Sequence, residues 1–346
     1  MRYQTIPRTD LNVSKICLGT MTWGEQNTEA EGYAQMDLAV DRGVNFFDTA
    51  ELYPSPVKPR TQGDTETFIG NWLQKTGKRK DLILASKIAG DRPFAQHIRP
   101  QLGFSKTSLE EALDLSLKRL QVDHLDLYQL HWPSRQTNFF GQRDYKHDKT
   151  DEWEDNFLEI LTNLDSIIKS GRVRYFGLSN ETPWGMMRYL HLAETHGLPR
   201  CVSIQNPYSL LNRTFEVGLS EMSIREEVTL LPYSPLGAGM LSGKYHLKTD
   251  EPENRLNKYK HVKRYSSEQS WEATRRYLEI AQANDLTLTQ MALAFVNDQP
   301  FVTSNIIGAT NLQQLAENID SIDIQLSEEV IKAINEVHAQ IPNPAP

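Results

Sequence analysis

Short apolar runs alternate along the chain with longer stretches of helical periodicity. The runs have the length of buried parallel strands, and they lie at 16–19, 44–47, 82–86, 125–130, 173–178, 202–206, 228–233 and 304–308. Helical patterns lie near 29–42, 64–76, 107–120, 154–170, 184–196, 214–226 and 267–284, with a further one at 311–319. This alternation predicts a closed (α/β)8 TIM barrel. A doubly wound sheet is the alternative, but its GxGxxG turn after the first strand is missing.

Four segments depart from the repeat. Residues 1–15 predict an N-terminal hairpin that closes the bottom of the barrel. Residues 133–153 and 244–266 are long polar loops after the fourth and seventh strands, and loops at the carboxyl ends of barrel strands shape substrate pockets. Residues 327–338 predict an extra C-terminal helix. The whole chain, 1–346, is expected to form a single barrel domain, although its length could also hold two average domains.

Composition and charge narrow the functional classes. The formal charge of −8 argues against nucleic-acid binding, since phosphate neutralisation needs clustered Lys and Arg. Cys17 and Cys201 lie in apolar stretches and are expected to be core residues. Without an apolar signal region in 1–10 or a long apolar run, we expect a soluble, cytoplasmic protein with no membrane partner. None of the nine histidines has metal-site spacing, which predicts no catalytic metal.

Polar residues directly follow three of the predicted strands. Asp48, Lys87 and His131 stand at these ends, and Tyr53 follows Asp48 closely. Taken singly, Asp48 could be a helix N-cap, Lys87 a solvated strand end and His131 a core histidine. Their common position at the carboxyl ends of successive barrel strands favours a catalytic site instead.

At these residues the chain resembles the aldo-keto reductase superfamily, over about residues 11–322. The matching stretches are 19–24 (GTMTWG), 45–53 (NFFDTAELY), 86–87 (SK), 126–133 (DLYQLHWP), 177–180 (GLSN), 233–237 (YSPLG) and 308–310 (GAT), with Gln314, Glu317 and Asn318. Residues 205–213 (QNPYSLLNR) and the ending 344–346 (PAP) are similar to the bacterial Tas-like branch of that superfamily. The resemblance implies the same barrel that the repeat predicts.

Carbonyl reduction explains why these four residue types belong together. Hydride delivery to a carbonyl carbon leaves an alkoxide that must be protonated. Tyrosine is a reluctant proton donor or base at its ordinary pKa of about 10, and a nearby ammonium lowers that pKa. Lys87 is the candidate ammonium, with Asp48 as its buried counter-ion. By resemblance, Tyr53 is the general acid in reduction, and His131 orients the substrate oxygen.

The resemblance also implies a nicotinamide cofactor. It places Ser179, Asn180 and Gln205 on the carboxamide and Tyr233 against the ring, where an aromatic face buries apolar area. Thr20, Met21 and Thr22 are further expected contacts. The glycine-rich segment after Tyr233 is suited to approaching a pyrophosphate; its members are Ser234, Pro235, Leu236, Gly237, Ala238, Gly239, Met240, Leu241, Ser242, Gly243 and Lys244. It is not a P-loop, because Ala238 replaces a required glycine and Tyr245 replaces Ser or Thr.

The last βα junction is expected to bind the adenosine end. Backbone N–H groups at a helix start favour an anion, here the 2′-phosphate of NADPH. The matching positions are Gly308, Thr310 and Gln314 near the phosphate, and Glu317 and Asn318 near the adenine. The segment 308–318 has no basic residue, so Lys244 or Arg255 would supply the charge. NADPH is therefore preferred over NADH as the expected cofactor, with NADH left open.

Trp23 and Trp132 would wall the substrate pocket by resemblance, and aromatic walls suit flat or apolar carbonyls. The aromatics of the 133–153 loop, Phe139, Phe140, Tyr145 and Trp153, could serve that wall or merely pack the loop on the barrel.

Three functions are compatible with these observations. The first is an NADPH-dependent reductase of a small-molecule aldehyde or ketone. The second is an NADP-binding regulatory subunit similar to the potassium-channel β subunits, against which we count the lack of an N-terminal extension. The third, an isomerase or aldolase, needs a metal cluster or a nucleophilic lysine, and Asp48 would keep Lys87 charged. The substrate is not determined, and a homo-oligomer remains open.

Overall fold

The structure is a computed structural model that describes residues 1–142, 144–247, 251–252, 254–259 and 264–346. Parts of the two predicted polar loops, namely residue 143 and residues 248–250, 253 and 260–263, lie outside the described residues.

Eight parallel strands form the central sheet. Two strands, β1 (Tyr3–Thr5) and β2 (Asn12–Ser14), form a separate hairpin. The eight strands of the central sheet are β3 (Ile16–Gly19), β4 (Phe46–Asp48), β5 (Ile83–Ile88), β6 (Leu125–Leu130), β7 (Val173–Ser179), β8 (Ser203–Gln205), β9 (Thr229–Leu230) and β10 (Asn305–Ile307). The sheet has the order β10-β3-β4-β5-β6-β7-β8-β9. A hydrogen bond from Ile306 N to Pro232 O at 3.0 Å joins its two ends. The predicted (α/β)8 barrel is confirmed.

Helices surround the strands. They are α1 (Glu29–Asp41), α2 (Asp64–Thr76), α3 (Lys106–Leu120), α4 (Phe157–Lys169), α5 (Pro183–His196), α6 (Leu219–Arg225), α7 (Arg255–Lys258), α8 (Glu268–Ala283), α9 (Leu288–Asn297), α10 (Leu312–Asp320) and α11 (Glu328–Gln340). Side-chain N-caps at Thr28, Ser105, Thr182 and Ser327 start four of them. The extra C-terminal helix is thus confirmed. In the described part of the chain, no helix is long and apolar enough to cross a membrane.

Two predicted elements differ from the structure. The helix expected over 214–226 begins as a 3-10 turn, Thr214–Val217, and Gly218 separates it from α6. The strand expected over 228–233 is reduced to Thr229–Leu230. Pro232 has no N–H to donate to a ladder, so regular pairing stops before it.

Helix α9 was not predicted from the sequence. Nine of its ten residues are buried, and only Gln290 is not. A helix surrounded by protein needs no polar face, so its sequence can be apolar on all sides and lacks the polar stripe that marks a surface helix.

The N-terminal hairpin closes the bottom of the barrel, as predicted. Strands β1 and β2 pair antiparallel, and the hairpin residues Ile6, Leu11 and Val13 are fully buried. They pack in one cluster with side chains from the barrel interior, including Cys17 and Phe46. Both cysteines are buried and free, as expected for small core residues. The apolar floor leaves the opposite end of the barrel for polar side chains.

Candidate active site

The four polar residues at the strand ends meet at the carboxyl end of the barrel. Lys87, in β5, has a fully buried side chain. Its Nζ donates to Asp48 Oδ2 at 2.5 Å, to the Thr49 carbonyl at 2.7 Å and to Tyr53 Oη at 3.5 Å. The Tyr53 and His131 rings meet edge to face, with centroids 5.7 Å apart. The geometry expected from their positions in the sequence is therefore present.

A buried hydrogen-bond network holds Asp48 in place. Its Oδ1 accepts from Gln129 Nε2 at 3.0 Å and from Gln205 Nε2 at 2.9 Å, while Oδ2 accepts from Lys87. Burial is the largest single influence and opposes the charge on Lys87, but the interactions with Asp48 and Tyr53 together raise the Lys87 pKa. The ammonium therefore stays protonated and non-nucleophilic at neutral pH.

Burial dominates the acidity of Tyr53. It raises the pKa of Tyr53, while the Lys87 cation, and more weakly Arg255, act to lower it. The sequence argument expected a net lowering by Lys87; in this structure the lowering is present but smaller than the cost of placing a phenolate in a buried site. The Tyr53 hydroxyl thus carries its proton at neutral pH.

His131 is a neutral imidazole in this environment. Burial and the nearby Lys87 cation lower its pKa well below the ordinary value. Its Nδ1 is buried without a hydrogen-bond partner among the described residues. A neutral ring keeps one N–H, which can be donated to an oxygen acceptor.

A cavity of 1420 Å³ opens above these residues. Its walls include the following predicted site residues: Thr20, Met21, Thr22, Asp48, Tyr53, His131, Trp132, Ser179, Asn180, Gln205, Tyr233, Ser234, Pro235, Leu236, Ala238, Gly239, Ser242, Lys244, Arg255, Gly308, Thr310, Gln314, Glu317 and Asn318. Lys87 lies behind Tyr53 and does not reach the wall. Among the described residues, no cluster of three or more His, Cys, Asp or Glu could hold a metal ion.

Five predicted contacts do not line the cavity. Gly237, Met240, Leu241 and Gly243 are buried behind the turn, and the Met240 and Leu241 side chains join the core between strands and helices. Trp23, expected in the substrate wall, is fully buried, and its Nε1 donates to Gln35 of α1 at 3.2 Å. The residue type indicated a pocket wall, but the turn after β3 directs this indole into the core.

The segment after β9 forms a compact turn with unusual backbone angles. Ser234, Gly237, Ala238, Gly239 and Gly243 all have positive φ. Such a conformation is costly for Ser234 and Ala238. Turns of this kind direct several N–H groups into one concavity and form anion-binding nests. The turn is thus suited to the phosphate contact expected from the glycine-rich sequence.

The residues expected to hold a carboxamide already form a connected network. Asn180 Nδ2 donates to the His131 carbonyl at 2.9 Å, and Asn180 Oδ1 accepts from Tyr233 Oη at 2.6 Å. Ser179 Oγ donates to the Gln205 carbonyl at 2.8 Å. This network fixes the ring of Tyr233 at the wall of the cavity.

The start of α10 is partly occupied by its own side chains. Asn311 caps Gln314 N, and Gln314 Oε1 accepts from Thr310 N at 3.0 Å. An anion at Thr310 would therefore have to displace the Gln314 amide. The loop after β3 is bonded to the start of α10, because Asn27 Nδ2 donates to the Thr310 carbonyl at 2.9 Å.

Trp132 lies in the wall, as expected. Its ring packs beside His131, with centroids 4.8 Å apart, and near Phe94 and Phe140. Of the loop aromatics, Phe140 lines the cavity, whereas Tyr145 is exposed and Trp153 packs on Phe157 and Trp184. Of the two roles considered for these aromatics, Phe140 thus serves the cavity wall, and Trp153 packs the loop on the barrel.

Several site residues were missed from the sequence. Arg264, Gln26 and Phe94 line the cavity, and Gln129 supports Asp48. A polar Gln within the apolar run 125–130 was a usable signal for Gln129. Arg264 lies in a polar loop with other cations, and nothing in the sequence indicated that it would line the cavity.

Comparison with known proteins identifies relatives over the whole chain. The family model "Aldo/keto reductase family" matches residues 15–339. The chain is 50% identical to "Protein tas" of Escherichia coli (strain K12), with 100% of each chain covered. It is 30% identical to the "Uncharacterized oxidoreductase YrpG" of Bacillus subtilis, covering 97% of this chain and 96% of that one. It is 28% identical to the "Aldo-keto reductase yakc [NADP(+)]" of Schizosaccharomyces pombe, covering 92% and 86%.

Proposed function

This chain belongs to the aldo/keto reductase family, and we propose that it is an oxidoreductase that reduces an aldehyde or ketone with NADPH. The observation that carries the proposal is the contact of a buried ammonium, Lys87, with the hydroxyl of Tyr53 at the floor of a large cavity. A reductase needs a proton donor at this place, because the reduced carbonyl oxygen gains negative charge.

The residues divide the task by their charge states. Tyr53, protonated at neutral pH, donates its proton to the carbonyl oxygen. Lys87 then stabilises the phenolate that remains, and Asp48 keeps the cation oriented. Neutral His131 donates a hydrogen bond that holds the carbonyl oxygen near Tyr53. In the reverse direction, the same phenolate would accept the proton of an alcohol.

The cavity fits a dinucleotide cofactor. It extends from Tyr53 past the positive-φ turn to Thr310 and Gln314, and the cations Lys244 and Arg255 line it. Tyr233 would face the nicotinamide, the turn would hold the pyrophosphate, and the two cations would favour the additional phosphate of NADPH over NADH. When bound, the cofactor supplies the hydride. The name of the fission-yeast relative, which includes NADP(+), agrees with this preference.

The test is Tyr53→Phe. The variant keeps the ring and loses the transferable proton, so we expect aldehyde-dependent NADPH oxidation to fall by at least about 100-fold. NADPH binding, measured by fluorescence titration, should stay within about 3-fold of the unmodified protein.

Unchanged turnover in Tyr53→Phe would contradict the proposal. Cofactor binding by the unmodified protein, without turnover on a broad panel of aromatic aldehydes, quinones, dicarbonyls and sugars, would favour the regulatory-subunit alternative.

A further inference from the structure

The segment 48–53 contains a buried acid that the proposed mechanism does not use. Glu51 lies between Asp48 and Tyr53 in the chain, and its side chain is fully buried. Its carboxylate pairs with the guanidinium of Arg99, which is 4% exposed. Arg99 Nη1 donates to Glu51 Oε1 at 3.1 Å, and Arg99 Nη2 donates to Glu51 Oε2. Two parallel hydrogen bonds of this kind fix the direction of both side chains as well as their separation.

Glu51 completes the pairing of the segment 48–53 with β5. Glu51 N donates to the Lys87 carbonyl at 3.2 Å. The Ala89 N–H, just beyond β5, donates to Glu51 Oε1 at 2.7 Å, where a regular ladder would use a backbone oxygen. The Glu51 carboxylate thus holds the segment that contains Tyr53 against the strand that contains Lys87.

Arg99 belongs to the loop after β5. Ile98 and Leu102 of that loop pack in one cluster with Tyr53. Phe94 of the same loop lines the cavity. The ion pair therefore joins the segment that presents Tyr53 to a loop that forms part of the cavity wall.

The charge on Glu51 depends on Arg99. Burial raises the pKa of Glu51, and the Arg99 cation acts to lower it. Without the guanidinium, burial favours the protonated acid, whose hydroxyl is a donor where the carboxylate was only an acceptor. The glutamate alone would therefore not keep the two parallel hydrogen bonds that fix its direction.

The contact between Tyr53 and Lys87 is sensitive to how this segment is held. Tyr53 Oη lies 3.5 Å from Lys87 Nζ, which is already long for a hydrogen bond. Misplacement of a group by about 1 Å can lower the rate of a reaction by about 100-fold.

We propose that Arg99 is a positioning residue for proton transfer, because through Glu51 it holds the Tyr53 hydroxyl beside the Lys87 ammonium. This inference rests on the proposed reductase function. Arg99 does not line the cavity, so its effect reaches the reaction only through Glu51 and the segment 48–53.

The experiment uses Arg99→Met, Arg99→Lys and the double variant Glu51→Gln/Arg99→Met. In aldehyde reduction, Arg99→Met and the double variant should lower kcat by at least about 10-fold and change the NADPH dissociation constant by less than about 3-fold. The double variant removes both buried charges together, so it remains informative if the uncompensated Glu51 prevents Arg99→Met from folding. Arg99→Lys keeps the charge without the paired donors, and its kcat should fall by at least about 3-fold.

A solvent deuterium isotope effect distinguishes positioning from a loss of stability. It is measured on NADPH oxidation in single turnovers, which exclude product release. Slower proton transfer should raise the isotope effect in all three variants to about twice that of the unmodified protein. A smaller folded fraction would lower the amplitude of the reaction and leave the isotope effect unchanged.

Glu216→Gln/Arg213→Met is the matched control. Arg213 and Glu216 also form a bidentate pair, with distances of 2.7 Å and 2.8 Å. Their further partners, Tyr208 and Asn335, do not line the cavity. This variant should keep the kcat and the isotope effect of the unmodified protein, whatever its stability.

The outcomes separate the two proposals. An unchanged kcat in a folded variant of Arg99, a lower kcat with an unchanged isotope effect, or the same changes in the control would overturn the positioning role and leave the reductase proposal standing. Arg99→Lys decides the question if the other two variants do not fold. Absence of aldehyde turnover in an unmodified protein that binds NADPH would overturn both proposals.

Discussion

Lys87 illustrates how one buried charge is held in this protein. Its ammonium is fully buried and is satisfied by one carboxylate, one carbonyl and one phenol. Removing one partner of a buried pair leaves the other charge uncompensated, whereas removing both charges is often nearly neutral. Single and double variants of this pair can therefore distinguish an effect on stability from an effect on catalysis.

We predict that Lys87→Met lowers the free energy of unfolding by about 3–5 kcal/mol, because Asp48 loses its counter-ion. The double variant Asp48→Asn/Lys87→Met should recover more than half of that loss, since the Asn oxygen can still accept from Gln129 and Gln205. Both variants should lack NADPH-dependent aldehyde reduction. Urea unfolding and a turnover assay measure the two effects, and equal stability of the single and double variants would contradict this account.

His131 leads to a pH prediction. Its pKa is lowered in the folded state, so below the unfolded-state pKa of about 6.5 the unfolded chain binds more protons than the folded one. Stability contributed by the neutral ring is therefore full above about pH 6.5 and is lost as the pH falls toward the folded pKa. The loss can reach about 1.4 kcal/mol per pH unit.

Urea unfolding of the unmodified protein and of His131→Gln, at about pH 7 and about pH 5.5, tests this linkage. The difference between the two proteins should isolate the His131 contribution, because the other titrating groups are common to both. A variant that loses as much stability as the unmodified protein on acidification would show that His131 is not the group responsible.

At the scale of elements, α2 and α3 approach each other closely at Gly70. A Cβ added at Gly70 would lie 2.2 Å from the Arg119 carbonyl oxygen and 2.8 Å from the Leu120 carbonyl carbon. Backbone atoms cannot rotate away as a flexible side chain can. Helix α2 follows the loop after β4 that contains Tyr53.

Gly70→Ala should therefore destabilise the protein by at least about 2 kcal/mol, although alanine favours a helix interior over glycine by about 1 kcal/mol. The control is Gly77→Ala, at the end of α2, where nothing lies within 4 Å of the added Cβ and only the φ of +69° is unfavourable. That control should cost about 1 kcal/mol. Thermal unfolding of both variants gives the comparison, and a Gly70→Ala protein as stable as the unmodified one would refute the close approach.

At the scale of the whole molecule, the barrel has an apolar floor and a polar mouth. The hairpin residues Ile6, Leu11 and Val13 fill the lower end, and Asp48, Tyr53 and His131 line the cavity at the upper end. Stability and chemistry are thus assigned to opposite ends, as in other barrels of this type.

Leu11→Ala should accordingly lower the free energy of unfolding by about 2–5 kcal/mol through the cavity it leaves. The KM values for NADPH and aldehyde should stay unchanged at a temperature where the variant is folded. Val217→Ala is a suitable control, because Val217 is 84% exposed and its truncation should matter by less than about 0.5 kcal/mol. Altered KM values in Leu11→Ala would show that floor and mouth are coupled.

The sequence by itself determined the barrel and the four residues at its mouth. Apolar runs at regular intervals define strands because burial on both faces leaves no polar alternation. Parallel strands in a barrel all end at the same rim, so Asp48, Lys87 and His131 had to be neighbours once the strands were recognised. Local chemistry also determined helix starts such as Thr182 and Ser327.

Features that depend on neighbours distant in the chain, such as burial and side-chain direction, were determined only by the tertiary structure. Trp23 enters the core although its residue type suggested a pocket wall, and α9 has a largely apolar sequence because it is surrounded by protein. The net pKa shift of Tyr53 depends on the balance between desolvation and the Lys87 charge, which no spacing reveals. Arg264 lines the cavity because folding brought its segment beside Gly141, which lies in the loop after β6.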